Sequence, residues 1–319
     1  MQDQAVPSFN NEDLALIVKR LYGFEGEIKP LVSYEDQNAR LTVGQEQYVL
    51  KISNRAVDIA SLDFQNSALE WLERELADSG LPMVLNNCDG GTIAVHEGHA
   101  VRLLTFVPGR VYADVEKTQE LYESFGSYMG HFSKALQGFK HPQAYRDDFI
   151  WGLDNVMMVK PYKHHIADES NRARVERFFN HYEDNIMLKT KGLRKAVIHQ
   201  DANDYNMLVN DDGIVAGIID FGDMAWGSQV NELAIMLAYA MQNTDNISDI
   251  AKAIITSYNK VFPLEPIERE LVMDLAAMRV VQSVTLSSRD AIDDPNNEYL
   301  VISQTPGFKL LENLEYLIL

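Results

Sequence analysis

The amino-acid sequence predicts an α+β protein of two lobes, and three observations support this class. Apolar and polar residues alternate over residues 27–53, with the period of two that antiparallel strands show. Helical periodicity dominates from Asp114 onward. At 319 residues the chain is longer than one compact core usually requires. We therefore expect an N-terminal lobe of residues 1–107 and a C-terminal lobe of residues 108–319.

The N-terminal lobe is predicted to contain a short first helix, antiparallel strands and one longer helix. The segment before residue 27 predicts an amphipathic helix rather than a signal peptide, because no basic stretch is followed by an apolar run. In the strand YVLKI, Lys51 lies on the face opposite its large apolar neighbours. Helical spacing covers residues 61–79. Two further strands, TIAVHE and HAVRLLTFV, should pair across a turn at Gly98.

The C-terminal lobe is predicted to be mainly helical, with one island of strands and loops. Amphipathic stretches predict helices over residues 114–138, 171–190, 229–260 and 265–288. Between them lies AVIHQDANDYNMLVNDDGIVAGIIDFGD, in which the turn at residues 211–213 separates two apolar runs as in a hairpin. Functional groups concentrate in loops carried on a rigid scaffold. We therefore expect the chemistry in this island.

Composition limits the partners of the protein. Lys and Arg total 28 against 47 Asp and Glu, a formal net charge of -19, so the overall field repels phosphate backbones and anionic lipid head groups. Neither nucleic acid nor a membrane is expected as a partner. The single cysteine, Cys88, excludes an internal disulfide and a thiolate-rich metal site, and a reducing cytoplasm is the simplest location. Composition leaves the oligomeric state open.

The island contains a pattern typical of phosphoryl transfer to a hydroxyl group. His199 and Asp201, followed by Asn206, give H-x-D-x-x-x-x-N, and Asp220 ends a buried run as D-F-G. Such transfer needs a carboxylate that orients the hydroxyl and accepts its proton, oxygen ligands for Mg²⁺, and a cation on the phosphates. Lys51 supplies the cation from a strand that precedes a helix. Each part alone occurs by chance, but their order and secondary-structure context together favour a kinase.

Over nearly its whole length the chain resembles the class of aminoglycoside phosphotransferases, choline kinases and homoserine kinases, and within that class hydroxylysine kinase-like proteins. The segments that carry the resemblance are VIHQDANDYNMLV, IDFGDMAWGSQVNELAIMLAYAM, YEDQNARLTVGQEQYVLKISN, HAVRLLTFVPGR and, more weakly, SSRDAIDDPNNEYLVISQTPGF. The resemblance implies a bilobal protein-kinase-like fold with an αC-like helix. It also implies transfer of the γ-phosphoryl group of Mg²⁺-bound ATP or GTP to a small-molecule acceptor.

The same resemblance implies roles for individual residues. Asp201 would be the catalytic base, and Asn206 and Asp220 would be the Mg²⁺ ligands. Lys51 would contact the phosphates, and His199 would brace the catalytic loop. The purine would be received by a hinge of Thr105, Phe106 and Val107, and a loop from Ser33 to Asn38 would cover the phosphates.

Two departures from the protein-kinase pattern affect the nucleotide site. No G-x-G-x-x-G precedes Lys51, so the cover over the phosphates must differ. The helix partner of such a lysine is normally a glutamate, yet the helical stripe presents Gln65 and leaves Glu70 and Glu73 off it. Gln65 can hydrogen-bond an ammonium group but cannot neutralise it. Gln65 is assigned to the nucleotide site, and the partner of Lys51 is left open.

Arg279, Asp223 and Glu232 are assigned to substrate binding. Arg279 lies on an apolar stripe of its helix, so its guanidinium should be buried and needs an anionic partner. That partner is either an internal acid, such as Glu232 or Asp290, or the α-carboxylate of an amino-acid acceptor held by a bidentate contact. The acidic balance and the resemblance favour a cationic acceptor such as 5-hydroxylysine.

Other functions stay open at this point. A protein kinase is disfavoured, because only a few residues separate Gly222 from the helix near Gln229 and no A-P-E follows. A nucleotide-binding scaffold without turnover is suggested by the missing glutamate and opposed by the presence of Asp201, Asn206 and Asp220. Among small-molecule kinases, homoserine, choline-type and aminoglycoside acceptors are alternatives, and the sequence does not distinguish ATP from GTP.

Overall fold

The computed structural model of the protein describes residues 6–33, 36–76, 79–294 and 304–319. The chain divides into two compact units, residues 1–108 and 109–319. The first unit contains a five-stranded antiparallel sheet and the second is mainly helical. The predicted α+β class is therefore confirmed. No helix within these described ranges is long and apolar enough to cross a membrane.

Among its described residues, the first unit contains two helices and five strands. Their bounds are α1 (Asn11–Tyr22), β1 (Glu27–Leu31), β2 (Gln37–Val43), β3 (Glu46–Ile52), α2 (Ile59–Glu75), β4 (Ala94–His96) and β5 (His99–Thr105). The strands form an antiparallel sheet in the order β1-β2-β3-β5-β4. The predicted turn between β4 and β5 is confirmed, with positive φ at both Glu97 (50°) and Gly98 (81°), as a tight two-residue hairpin turn requires.

The alternation along β3 assigns its two faces as predicted. Tyr48, Leu50 and Ile52 are buried in the core cluster that also holds Leu14 of α1. Lys51 therefore points to the opposite face of the sheet, because successive strand residues face opposite sides.

The second unit contains six helices and five strands within the described ranges. Their bounds are β6 (Arg110–Val111), α3 (Gln119–Ala135), α4 (Glu169–His181), β7 (Lys195–Ile198), β8 (Met207–Val209), β9 (Val215–Ile218), β10 (Ala225–Ser228), α5 (Val230–Ala240), α6 (Ile247–Val261), α7 (Pro266–Asp293) and α8 (Gln304–Ile318). β7 pairs with β10, and β6, β8 and β9 form a second antiparallel sheet. The predicted hairpin at residues 211–213 joins β8 to β9 and is confirmed.

Several predicted helix limits are wrong. The helix expected over residues 229–260 is two helices, because residues 241–246 form a polar turn in which Asn243 has a φ of 56°. α3 begins at Gln119 rather than near 114, since Thr118 caps it by accepting the N–H of Leu121 (3.2 Å). Residues 153–165 form a 3₁₀ helix, which the sequence did not predict.

α3 and α6 approach each other closely at two glycines of α3. A Cβ atom on Gly126 would collide with the carbonyl of Ile254, and one on Gly130 would lie 2.9 Å from the Cβ of Val261. Close backbone approach of this kind requires glycine. The contact fixes the spacing between two helices that both contribute side chains to the cavity of the second unit.

Candidate active site

The predicted catalytic loop lies between β7 and β8 and is organised by Asn203. The Asn203 Oδ1 atom accepts the backbone N–H groups of Tyr205 (2.8 Å) and Asn206 (3.0 Å). Gln200 adopts a φ of 69°, a region that residues other than glycine seldom occupy and that is common at functional sites. Asn203 was not singled out from the sequence, although it lies within the motif.

Both carboxylate oxygens of Asp201 are held by hydrogen-bond donors. Oδ2 accepts from the side-chain amides of Asn203 (2.9 Å) and Asn206 (2.7 Å), and Oδ1 accepts from Nη2 of Arg279 (2.9 Å). Burial raises the pKa of the Asp201 carboxyl, while the charge of Arg279 lowers it. The Asp201 side chain is still 21% exposed, so a hydroxyl group can reach it.

Asn206 and Asp220, the predicted metal ligands, are brought together by the β8–β9 hairpin. The N–H of Ile219 donates to the Asn206 carbonyl (3.0 Å), which places Asp220 next to the catalytic loop. The Asn206 amide nitrogen donates to the backbone oxygen (3.0 Å) and Oδ2 (2.7 Å) of Asp201. Because both of these atoms are acceptors only, the Asn206 amide oxygen must face away from Asp201. That oxygen is thereby oriented for another partner.

Asp220 differs from the sequence-based expectation of a buried acid. The residue is exposed, because β9 ends two residues before it. Its φ is 64°, and its Oδ1 accepts the N–H of Gly222 (3.3 Å). Within the described ranges no three His, Cys, Asp or Glu residues converge on one metal position. Asn206 and Asp220 fit Mg²⁺ as two oxygen ligands, and the remaining ligands would have to come from phosphate and water.

His199 and Glu232 lie beneath the catalytic loop. His199 is fully buried, and its Nδ1 accepts the N–H of Asp201 (3.3 Å). Burial lowers the pKa of His199 to about 4, so the ring is neutral at pH 7, as a bracing role requires.

Glu232 was assigned to substrate binding, and that role stays a prediction. Glu232 is fully buried on α5, and its Oε2 accepts the backbone N–H of His199 (2.6 Å). Burial raises the pKa of Glu232 to about 7. Its Oε2 atom supports the backbone of the loop, and helix periodicity alone could not show this.

Arg279 has the predicted buried position but neither of the predicted acidic partners. The side chain is only 2% exposed and pairs with Asp201. Of the expected partners, Glu232 holds the loop backbone and Asp290 pairs with Arg289 (2.6 Å). Both Nη atoms of Arg279 already have protein partners, because Nη2 donates to Asp201 and Nη1 donates to the Trp151 carbonyl (3.2 Å). The bidentate contact with an acceptor carboxylate stays a prediction.

Asp223 lies in the 3₁₀ turn that follows Asp220. Burial and the charge of Asp201 raise the pKa of Asp223 to about 7, although Arg279 and Arg146 act in the opposite direction. Asp223 therefore lies close enough to the catalytic loop to interact with its base. Its role in acceptor binding stays a prediction.

In the first unit, Lys51 lies between two polar neighbours of the sheet. The strand register places it opposite Asn38 on β2 and Arg102 on β5. Arg102 is buried and donates to the side-chain oxygens of Gln65 (2.9 Å) and Asn66 (2.9 Å) on α2. Gln65 thus contacts a second cation that the sequence analysis did not single out, and its part in nucleotide binding stays a prediction.

The predicted phosphate-covering loop and hinge are held by local hydrogen bonds. The amide of Asn38 donates to the Ser33 hydroxyl (3.2 Å), and residues 34–35 lie outside the described ranges. At the hinge, the N–H of Thr105 donates to Met83 (2.8 Å) and that of Phe106 to Gln47 (2.9 Å). Val107 is the hinge residue whose N–H has no such contact among the described residues.

A cavity of about 550 Å³ within the second unit adjoins the catalytic loop, and it was not predicted from the sequence. The lining is rich in acids and tyrosines: Asp114, Asp204, Asp249, Tyr112, Tyr122, Tyr205 and Tyr239. Asp204 and Tyr205 belong to the catalytic loop itself. The signal available in the sequence was this second acid of the loop, three residues after Asp201.

Lys117 also lines this cavity, but its ammonium group is occupied. It donates to the carbonyls of Tyr112, Ala113 (3.2 Å) and Val115 (2.7 Å). An ammonium group has three donors, so these contacts use them all. Three acids against one occupied cation leave the cavity suited to a positively charged ligand.

The family model described as a phosphotransferase enzyme family matches residues 27–259. The chain belongs to the phosphotransferase enzyme family. The matched span includes Lys51 and the whole catalytic loop. The resemblance predicted from the sequence is confirmed, and this phosphotransferase is a small-molecule kinase with an alcohol group as acceptor.

Known proteins similar to this phosphotransferase are small-molecule kinases. It is 32% identical to the hydroxylysine kinase of Mus musculus over 347 aligned residues, covering 98% of this chain and 91% of the mouse protein. The fold is similar to that of an amicoumacin kinase solved with AMP-PNP and Ca²⁺, with a TM-score of 0.71 at 14% identity over 96% of this chain and 94% of that one. It is also similar to a microcompartment-associated aminopropanol kinase, with a TM-score of 0.65 at 14% identity over 95% and 94%.

Proposed function

We propose that this phosphotransferase transfers the γ-phosphoryl group of a Mg²⁺-bound nucleotide to the hydroxyl group of a cationic amino alcohol or amino acid such as 5-hydroxylysine. The acidic, tyrosine-lined cavity next to the catalytic loop carries the proposal. The names of two similar proteins, hydroxylysine kinase and aminopropanol kinase, support it, because both acceptors carry a hydroxyl and an amino group.

In the proposed step the acceptor oxygen attacks the γ-phosphorus while the bond to the bridging oxygen of the nucleoside diphosphate breaks. Asp201 orients the hydroxyl and takes its proton. Three donors fix the two carboxylate oxygens, so little rotational freedom has to be lost when the acceptor binds. The chemistry therefore depends on positioning more than on a strong base.

Two sets of residues are proposed to contact the nucleotide, and each is described within its own unit. Asn206 and Asp220 would bind Mg²⁺, which when bound neutralises charge on the phosphates. Lys51 would contact the phosphates that are not transferred. At the hinge, the N–H of Val107 would donate to the purine, since the N–H groups of Thr105 and Phe106 already donate to backbone carbonyls.

The amine of the acceptor would be recognised by Asp204. This acid follows Asp201 by three residues in one loop and lines the cavity, and an ammonium group held there brings a nearby hydroxyl toward Asp201. In 5-hydroxylysine the hydroxyl and the terminal amine lie on adjacent carbon atoms, as they do in 1-amino-2-propanol and ethanolamine. We therefore favour acceptors in which the reacting hydroxyl is next to an amine.

A panel of acceptors tests the proposal. With ATP and GTP in parallel, we expect acceptor-dependent nucleoside diphosphate release to be highest with 5-hydroxylysine, above homoserine, choline, ethanolamine and an aminoglycoside. Lysine, which has the same charges but no hydroxyl, is the matched control and should give no release. A preference for homoserine or for an uncharged sugar would rule out this acceptor class.

Asp204→Asn tests the recognition of the amine. Loss of a charge-assisted hydrogen bond should raise the KM for 5-hydroxylysine roughly tenfold or more and leave the KM for the nucleotide near wild type. Asp211→Asn, in the exposed hairpin turn of the same island, is the control and should change neither constant. An unchanged acceptor KM in Asp204→Asn would show that the amine is bound elsewhere.

A further inference from the structure

We propose that Arg279 is a positioning residue for Asp201, and that it holds the carboxylate in the orientation that meets the acceptor hydroxyl. The proposal rests on the proposed role of Asp201 as the base. Arg279 lies on α7, 78 residues further along the chain, and donates from Nη2 to Oδ1 of Asp201 at 2.9 Å. Within the described part of the chain, no other donor reaches Oδ1.

The two oxygens of Asp201 are thus fixed from different directions. Oδ2 is held by amides of the catalytic loop itself, whereas among the described residues Oδ1 is held only by Arg279. Donors on Oδ2 alone would let the carboxylate plane turn about its Cβ–Cγ bond. The contact on Oδ1 prevents that rotation. The base is therefore already oriented when the acceptor arrives.

Arg279 is itself anchored well enough to serve this purpose. Its Nη1 donates to the Trp151 carbonyl (3.2 Å) and to the Gln282 side chain (3.3 Å), and Gln282 in turn donates to the Ile150 carbonyl (2.9 Å). The guanidinium carbon lies 5.3 Å from the centre of the Trp151 ring. A planar guanidinium with several fixed donors restrains direction as well as distance, which a lysine ammonium does not.

The burial of the pair indicates a function beyond stability. Arg279 is 2% exposed and Asp201 is 21% exposed, so the cation lies behind the base and leaves the reacting side open. A buried ion pair contributes little net stability compared with apolar side chains of similar size. Nη2 also lies 3.4 Å from the hydroxyl of Tyr239, a residue that lines the cavity. The same guanidinium therefore contacts both the base and the wall of the cavity.

Substitution of Arg279 should lower kcat and leave KM nearly unchanged. We expect Arg279→Met to lower kcat by ~10²-fold, the scale of a misplaced catalytic group, with the KM for nucleotide and for acceptor near wild type. Arg279→Lys keeps a donor and should recover part of kcat. Arg289→Met, on the same helix, removes an arginine paired with Asp290 and should leave both constants unchanged.

A double-mutant cycle shows whether Arg279 acts through Asp201. In an Asp201→Ala background, adding Arg279→Met should lower the residual kcat by less than threefold, because the group it positions is gone. Denaturant unfolding provides a second cycle that does not need activity. The double variant should be destabilised by less than the sum of the two single variants, since neither charge is left buried without its partner. This unfolding cycle still measures the interaction of the pair if Arg279→Met is less stable than the wild type.

Three outcomes would overturn the proposal. One is an acceptor KM that rises for hydroxylysine but not for ethanolamine, which lacks a carboxylate, because Arg279 would then bind the acceptor. The second is a full ~10²-fold loss of kcat when Arg279→Met is added to the Asp201→Ala background. The third is a double variant whose loss of unfolding free energy equals the sum of the losses of the two single variants. Absence of phosphoryl transfer by the wild-type protein would instead contradict the proposed function, and the unfolding cycle would still test the pair.

Discussion

Replacing Asp201 by asparagine should lower kcat by ~10²-fold or more while the protein still binds nucleotide. The physical reason is the loss of the proposed base, which would orient the acceptor hydroxyl and take its proton. Steady-state kinetics with 5-hydroxylysine, together with calorimetric titration of the nucleotide, measures the two properties separately. Turnover near that of the wild type would rule out Asp201 as the base.

The surroundings of Asp201 make a second variant necessary. In the part of the chain that the structure describes, the side chains that hydrogen-bond to its carboxylate are all donors, namely Asn203, Asn206 and Arg279. The amide nitrogen of an asparagine at this position would therefore face a donor in either orientation. That clash acts on Asn206, so nucleotide binding by the asparagine variant has to be compared with that of a variant without the clash.

Asp201→Ala avoids the clash and is the matched comparison. It removes the carboxylate without introducing a donor, so the Asn206 amide keeps its contact with the Asp201 backbone carbonyl (3.0 Å). We expect the same loss of turnover in both variants. Loss of turnover in the asparagine variant alone would indicate that the clash, and not the missing base, is responsible.

Local patterns in the sequence were sufficient for the sheet, the hairpin and the order of the catalytic elements. The alternation in YVLKI places Lys51 opposite the core, because strand side chains change face at every residue. The turn at residues 211–213 returns the chain upon itself, so Asn206 and Asp220 meet without any long-range information. Such relations depend on a few neighbouring residues, which is why they could be predicted.

The partners of buried charges could not be predicted in this way. Helical spacing showed that Arg279 is buried, but its partner depends on how α7 packs against a loop 78 residues earlier in the chain. The contact of Glu232 could not be predicted for the same reason, because its partner is a backbone N–H that carries no sequence signal. The exposure of Asp220 could not be predicted because the hydrophobic run that precedes it does not show where the strand ends.

Asp220→Ala should abolish Mg²⁺-dependent nucleotide binding, because it removes one of the two proposed protein ligands of the ion. The argument does not depend on burial, since Asp220 is exposed. It depends on position, because Asp220 follows Ile219, whose N–H donates to the Asn206 carbonyl (3.0 Å), and the Asn206 amide oxygen is turned away from Asp201. Calorimetric titration of ATP with and without Mg²⁺ measures the effect directly.

The backbone at Asp220 calls for a companion variant, Asp220→Asn. The φ of 64° is tolerated by Asp and Asn better than by alanine, so the alanine variant carries a conformational cost of about 1 kcal/mol that is unrelated to the metal. Asparagine keeps the acceptor for the Gly222 N–H and removes only the charge. We expect both variants to lose Mg²⁺ dependence, with the asparagine variant close to wild type in unfolding midpoint. The control is Asp212→Asn, which changes an exposed acid of the same hairpin and should retain full Mg²⁺ dependence. If Asp220→Asn also retained it, Asp220 would serve only to cap its turn.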